Sequence, residues 1–236
     1  VLDLRDTHLI TKLKNPVMVL TRSDGTGLYS LRDLAYTIEK CKKGRNILVL
    51  GEDQKTYFEQ LKEVLKILNK PYPKVVHYSF VLLKGIGKMS TRRGELVLLS
   101  EFLKEARQKA EQEVKTRKTK GDPLKVAVSA VKYSMLRNEN NRNIVFNLEH
   151  SLNFEGNTGP YMQYSYARAS SIIKNSKKIK KIKITKLNMY EIGLIKKISE
   201  FPEIVDNAGK KLSPSIIANY SYELAKKFNE FYHSCR

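Results

Sequence analysis

Cysteine occurs only twice in the 236 residues, at Cys41 and Cys235. That excludes a disulfide framework, and no CxxC pair or Cys/His cluster has the spacing of a zinc site. Four histidines (His8, His77, His150 and His233) are scattered without the spacing of a metal centre or a catalytic triad, so a structural role is expected of each. No apolar run approaches the roughly 20 residues that a membrane-spanning helix needs. The first residues carry no signal-peptide pattern, so a cytoplasmic protein without a membrane partner is expected. Acid is scarce: 24 Asp+Glu stand against 44 Lys+Arg, a formal net charge of +20 and a pI near 9.8. Such a field favours a polyanionic partner, but A/T-biased genomes also inflate lysine, so composition alone leaves that open. Apolar residues are not scarce. At 41% hydrophobic, with 13 Tyr and 8 Phe, the chain is no disordered segment, and its length allows one or two domains with real cores. There is no internal repeat.

Along the first two-thirds, short β runs alternate with helical patterns. Pro16–Leu20 reads as a strand leading into the Gly-rich loop Thr21–Leu28, and Ser30 is expected to cap a helix from Leu31 to about Cys41, with Asp33 as a variant capping-box residue. Asn46–Leu50 is a continuous apolar run, as for a parallel strand buried on both faces. A helix over Thr56–Asn69 follows, then a turn at Pro71–Pro73 and a strand over Val75–Leu83. This alternation predicts an open α/β sheet with ligands at the carboxyl ends of its strands. Ser100 is expected to cap a charged helix to about Lys118, and Asp122 with Pro123 to start another to Arg137. Beyond about Ser151 the strands stop, and helices are expected over Gly159–Asn175, Leu187–Ser199, Phe201–Lys211 and Pro214–His233. Lys174–Lys186 holds seven lysines and no acid, a pattern shared by a solvated linker and by a segment that tracks phosphates.

The segment Gly85-Ile86-Gly87-Lys88-Met89-Ser90-Thr91-Arg92-Arg93-Gly94 carries three glycines and three cations. It is not a Walker loop, because Met89 separates the lysine from the serine and an apolar run follows where a helix should open. A mobile cationic loop of this kind can close over a triphosphate and stabilise charge on a leaving pyrophosphate. An exposed hairpin tip has the same composition.

Lys88-Met89-Ser90 resembles the KMSK loop of class I aminoacyl-tRNA synthetases, and VHYSFVLL…GKMSTRRGELVLL from Val76 is similar to arginyl-tRNA synthetases in particular. Ser23–Tyr36, Val49–Gln60, Val131–Arg137 and Asn153–Arg168 agree in the same order. The resemblance implies an α/β, Rossmann-type nucleotide-binding domain, incomplete, followed by an all-α anticodon-binding domain of the DALR type, divided as 1–155 and 156–236. It implies arginine activation by ATP, with Mg2+ accompanying the nucleotide, and transfer of the arginyl group to tRNA(Arg); positioning and charge stabilisation would carry the catalysis. Tyr29, Asp33 and Gln54 match the family's arginine contacts, the Asp pairing with the guanidinium. Tyr29 and Asp33 are four apart at a helix start, so they can share a face. Gly51 matches a close approach of the nucleotide, and Lys88 and Ser90 the ATP-phosphate contacts of catalysis. Met89 is a packing residue of that loop, and Arg92 and Arg93 are candidates for the cation that the signature's second lysine supplies, since Thr91 stands there.

Tyr161, Tyr164, Tyr166 and Arg168 form an aromatic–cation stripe that could stack on unpaired anticodon bases, with Lys174 beyond it. At helical spacing, however, Tyr161 and Tyr164 are more often core residues. Other strings of the family are not found: no His-x-Gly-His exists, and the chain stops before the Asp-Ala-Leu-Arg-like signature. The sequence therefore reads as a piece of a larger synthetase, a monomer at full length, that alone binds ATP poorly and does not aminoacylate. A non-catalytic RNA-binding relative is the alternative. A cysteinyl enzyme is disfavoured by the missing zinc-ligand cysteines.

Overall fold

The computed structural model describes residues 1–83, 98–118, 120–176 and 186–235. They fall into two compact units, Val1–Phe80 and Val81–Arg236. The loop predicted to grip a triphosphate (Lys88, Met89, Ser90, Arg92, Arg93) lies outside the described residues, as does most of the lysine-rich segment.

In the first unit, β1 (Leu2–Asp3) and β2 (Val17–Met18) pair antiparallel. Helix α1 (Tyr29–Lys42), strand β3 (Ile47–Gly51), a 3-10 turn (Glu52–Gln54), helix α2 (Lys55–Ile67) and strand β4 (Lys74–Tyr78) follow. Strands β3 and β4 are parallel, Leu48 opposite Val75 and Leu50 opposite His77, so β3–α2–β4 is a crossover unit. One face of this ladder sits over Phe58, Leu61, Val64 and Leu65 of α2, all buried, together with Leu4, Leu9, Met18 and Leu34. Each such side chain stabilises the fold by about 1.5–3 kcal/mol. Asn69 ends α2 in the left-handed region at φ 52°, with Lys70 N–H donating to the Leu65 carbonyl and Asn69 N–H to that of Lys66, a Schellman closure that an asparagine tolerates.

Three expectations change here. The Asn46–Leu50 run is not buried on both faces: Ile47 is 46% and Val49 64% exposed, because among the described residues only the Leu48/Leu50 side is covered by α2. Helix α1 starts at Tyr29, not Leu31, and Ser30 does not cap it, since its hydroxyl donates to the Val19 carbonyl. The run from Val75 to Leu83 breaks at Ser79-Phe80 into β4 and β5 (Val81–Leu83).

In the second unit, β5 pairs parallel with β6 (Ile144–Phe146). Helices α3 (Leu99–Thr116) and α4 (Pro123–Leu136) pack through Ala106, Ala110, Ala127 and Ala130, all fully buried. Alanines there let two backbones approach closely. Asp122 caps α4 by accepting from Leu124 N–H at 2.9 Å, with Pro123 at the first position, as expected. Ser100 is no cap, because α3 already begins at Leu99. After the short α5 (Leu148–Ser151) come α6 (Gly159–Asn175), α7 (Met189–Ser199), α8 (Phe201–Lys211) and α9 (Pro214–Ser234). Helix α6 enters against α4: a Cβ on Gly159 would collide with the Ser129 backbone carbonyl. Asn188 and Glu191 form a full capping box on α7. Among the described residues no strand follows β6, and no helix is long and apolar enough to cross a membrane.

Candidate functional site

Two groups of side chains, one in each unit, have the composition of a site. In the first unit the carboxyl ends of β3 and β4 carry Gly51 and Tyr78, register partners. The backbone turns there from β3 into the 3-10 turn and then α2, so Gln54 stands at the start of α2 on the rim of the sheet. A Cβ on Gly51 would strike the Asp53 carboxylate, and the Tyr78 ring lies 3.7 Å away. A side chain here would need the Asp53 carboxylate to move aside. Ser79 donates to Glu52 at 2.6 Å, tying the ends of the two strands together, so Glu52 has structural work.

Tyr29 and Asp33 lie in the first two turns of α1, one turn apart. Tyr29 is 83% exposed and Asp33 is exposed as well. The Asp33 carboxylate accepts a hydrogen bond from the Tyr57 hydroxyl at 2.8 Å, and Tyr57 rests against the apolar cluster under the sheet. Burial, and then the bond to Asp33, push the Tyr57 phenol well above its ordinary range, so it stays a donor. Gln54 stands three residues before Tyr57, which places the two on one side of the α2 start. Helix α1 thus offers a held carboxylate and an exposed aromatic ring, and the start of α2 an amide, group types that suit a planar, multi-donor cation. Tyr57 was not among the sequence candidates. Its only signal is a 24-residue separation from Asp33, which no local pattern carries.

In the second unit an open cleft of about 980 Å³ is walled by α6 and the end of α9, with Arg117 and Phe154 opposite. Tyr161, Tyr164 and Arg168 fall at i, i+3 and i+7 on α6 and all line it, whereas Tyr166, 75% exposed, does not. Arg168 is held between two rings, 4.5 Å from the Tyr164 centroid and 4.3 Å from that of Tyr232. Its Nη1 donates to Asn229 Oδ1 at 3.0 Å and its Nη2 to the Tyr164 hydroxyl. Asn229 Nδ2 in turn donates to the Tyr161 hydroxyl at 3.0 Å and to Ser165 Oγ at 2.7 Å. Tyr161 and Tyr164 are therefore wall residues with bonded hydroxyls rather than core. Arg117 lies 5.0 Å from the Phe154 centroid, a second cation–ring pair. Lys174, in the last turn of α6, is exposed and away from the cleft lining. Asn229, Tyr232 and His233 sit at i, i+3 and i+4 on α9, a spacing that marks one helix face but does not say which face turns toward Arg168.

Behind the cleft, Tyr133 on α4 donates to Asn157 and, at 3.2 Å, to the Ala218 carbonyl. Burial pushes its phenol up to about 12. These bonds tie α4 to α9 and to the turn before α6, while Asn229 ties α9 to α6. Exposed aromatic rings are groups on which unpaired bases stack, whereas the Arg168 guanidinium is already stacked on Tyr164 and Tyr232. Among the described residues no group of three or more His, Cys, Asp or Glu is gathered to hold a metal ion.

A family model described as "tRNA synthetases class I (R), catalytic domain" matches residues 5–148, and one for a DALR anticodon binding domain matches 162–236. The arginine–tRNA ligase of Lactobacillus johnsonii is 38% identical over 236 residues, covering 94% of this chain and 42% of that protein. That of Methanothrix thermoacetophila is 40% identical over 224 residues, covering 91% and 40%. Among solved structures, Thermus thermophilus arginyl-tRNA synthetase superposes with a TM-score of 0.84 at 26% identity, over 99% of this chain and 45% of that one. The arginyl-tRNA synthetase of Plasmodium falciparum gives 0.73 at 26% identity, over 92% and 40%. The chain thus spans about two-fifths of the length of the curated relatives it matches.

Proposed function

The chain belongs to the arginyl-tRNA synthetase family of class I, and on that premise we propose that it supplies the later part of an arginine–tRNA ligase. Residues 1–155 would form part of the catalytic domain and 156–236 the anticodon-binding helices. The full-length protein would join arginine to ATP as arginyl-adenylate, release pyrophosphate, and pass the arginyl group to tRNA(Arg). Asp33 would pair with the guanidinium, with Tyr29 and Gln54 flanking it. Gly51 would lie beside the nucleotide. Lys88 and Ser90, with Met89 packing their loop and Arg92 or Arg93 as the further cation, would hold the ATP phosphates. Mg2+ would arrive on those phosphates and spread their charge, as this ion does with few protein ligands. Tyr164 and Arg168 would meet anticodon-loop bases, and Lys174 a backbone phosphate.

One observation carries the catalytic reading over that of a pure RNA-binding relative. The Asp33 carboxylate is exposed yet held at 2.8 Å by Tyr57, beside the carboxyl ends of a parallel strand pair. A carboxylate repels phosphate, and one held in place suits the fork of a guanidinium. ATP–pyrophosphate exchange with arginine and tRNA tests it. The full-length protein is expected to exchange and the isolated 236-residue chain is not; robust exchange by the isolated chain would refute the reading that its active site is incomplete. Absence of exchange by the full-length protein, with tRNA binding retained, would favour the non-catalytic relative.

A further inference from the structure

We propose that Tyr57 is a positioning residue for substrate selection: its hydroxyl fixes the plane of the Asp33 carboxylate so that a guanidinium is preferred over a primary ammonium. The inference rests on the assignment of Asp33 to the arginine side chain. A carboxylate on an exposed helix face, such as Asp33 on α1, rotates freely unless something holds it. Among the described residues the one hydrogen bond to it is from Tyr57, 2.8 Å to Oδ2. Tyr57 lies on a different helix and packs against the buried cluster of Phe58, Leu61 and Leu65, so the hydroxyl is anchored by the core rather than by solvent.

The chemistry of the two competing substrates makes that anchoring matter. A guanidinium is a flat fork whose paired N–H groups meet a carboxylate edge-on, in one plane. An ammonium is a compact charge with three rotatable donors and is indifferent to that plane. Using one lone pair of Oδ2 for the phenol leaves the other lone pair and all of Oδ1 for the fork. Locking the plane therefore favours arginine and does little for lysine. The high phenol pKa acts in the same direction, because the hydroxyl keeps its proton wherever the enzyme works.

Tyr57→Phe, which keeps the ring in the cluster, separates positioning from packing. In ATP–pyrophosphate exchange by the full-length protein with tRNA present, KM for arginine is expected to rise about 3- to 10-fold, the scale of one lost hydrogen bond, with kcat within about twofold. The melting temperature should not move, and the preference for arginine over lysine should fall by the same factor as KM rises. An unchanged arginine KM overturns the proposal, as does a loss of kcat that tracks a fallen melting temperature. A wild-type protein without arginine-dependent exchange removes the assignment of Asp33 and this proposal with it, whereas exchange with an unaltered Tyr57→Phe removes the proposal alone.

Discussion

The carboxylate face of α1–α2 and the cleft of α6–α9 solve the same problem, holding polar groups for a ligand, in opposite ways. In the first, the key group is held, among the described residues, by a single bond to Tyr57, on a unit whose parallel ladder is covered on one face while Ile47 and Val49 are exposed. The second is redundant: Arg168 has two ring contacts and two donor bonds, and Asn229 joins three α6 side chains at once. A site built on one bond is sensitive to single substitutions at the ligand level but leaves the fold alone. A site built on a network couples recognition to stability, since each member also holds two helices together.

The largest effect should come from the sparse site. Asp33→Asn is expected to cut kcat/KM for arginine by about 10- to 100-fold, the scale of a lost charge-assisted pair, with the melting temperature unchanged. Kinetics of pyrophosphate exchange beside a thermal scan checks both halves. Gly159→Ala is next and acts oppositely. With the Ser129 carbonyl in the way of a Cβ, overpacking should cost about 1–3 kcal/mol of stability, read by denaturant unfolding, while arginine kinetics stay put. If either variant disturbs the other property instead, the contrast between the two regions fails.

Arg168→Lys sharpens the contrast further. An ammonium cannot lie flat between Tyr164 and Tyr232 or bridge to Asn229, so affinity for an anticodon stem-loop RNA should fall about 3- to 10-fold, with a modest stability loss. Fluorescence anisotropy at fixed salt measures it; an affinity equal to wild type would mean the clamp has no part in binding. The smallest effect concerns Tyr133, whose phenol is raised from 10.0 to about 12 by burial. A raised folded-state value means that its contribution is complete below pH 10 and is lost as pH climbs toward 12, because the unfolded chain ionises first. The alkaline fall in stability over that window should therefore be shallower in Tyr133→Phe, and identical slopes would show that the phenol is not buried in solution.

Much of the helical frame was legible, and for local reasons. Asp122-Pro123 announces α4, and the bounds of α6 and α8 coincide with the periodic runs that predict them, because caps and apolar spacing are short-range properties. The failures are of another kind. Ser30 looks like a cap by its neighbours, yet a carbonyl eleven residues back takes its hydroxyl. The β3 run looks like a doubly buried strand, but its outer face finds no cover among the described residues. Tyr29, Asp33 and Gln54 were readable through the family motif, and Tyr161, Tyr164 and Arg168 through their helical spacing. Tyr57, Asn229 and Tyr232 were not, because they meet their partners across 24 to 68 residues, and only the packed fold joins them.

On the proposed reading, arginine selection and RNA binding would reside in separate, differently built sites of one chain. Its most direct test measures arginine KM and stem-loop RNA affinity on the same full-length preparations of wild type, Asp33→Asn and Arg168→Lys. Asp33→Asn is expected to weaken arginine binding alone and Arg168→Lys RNA binding alone. Parallel loss of both in either variant would contradict it.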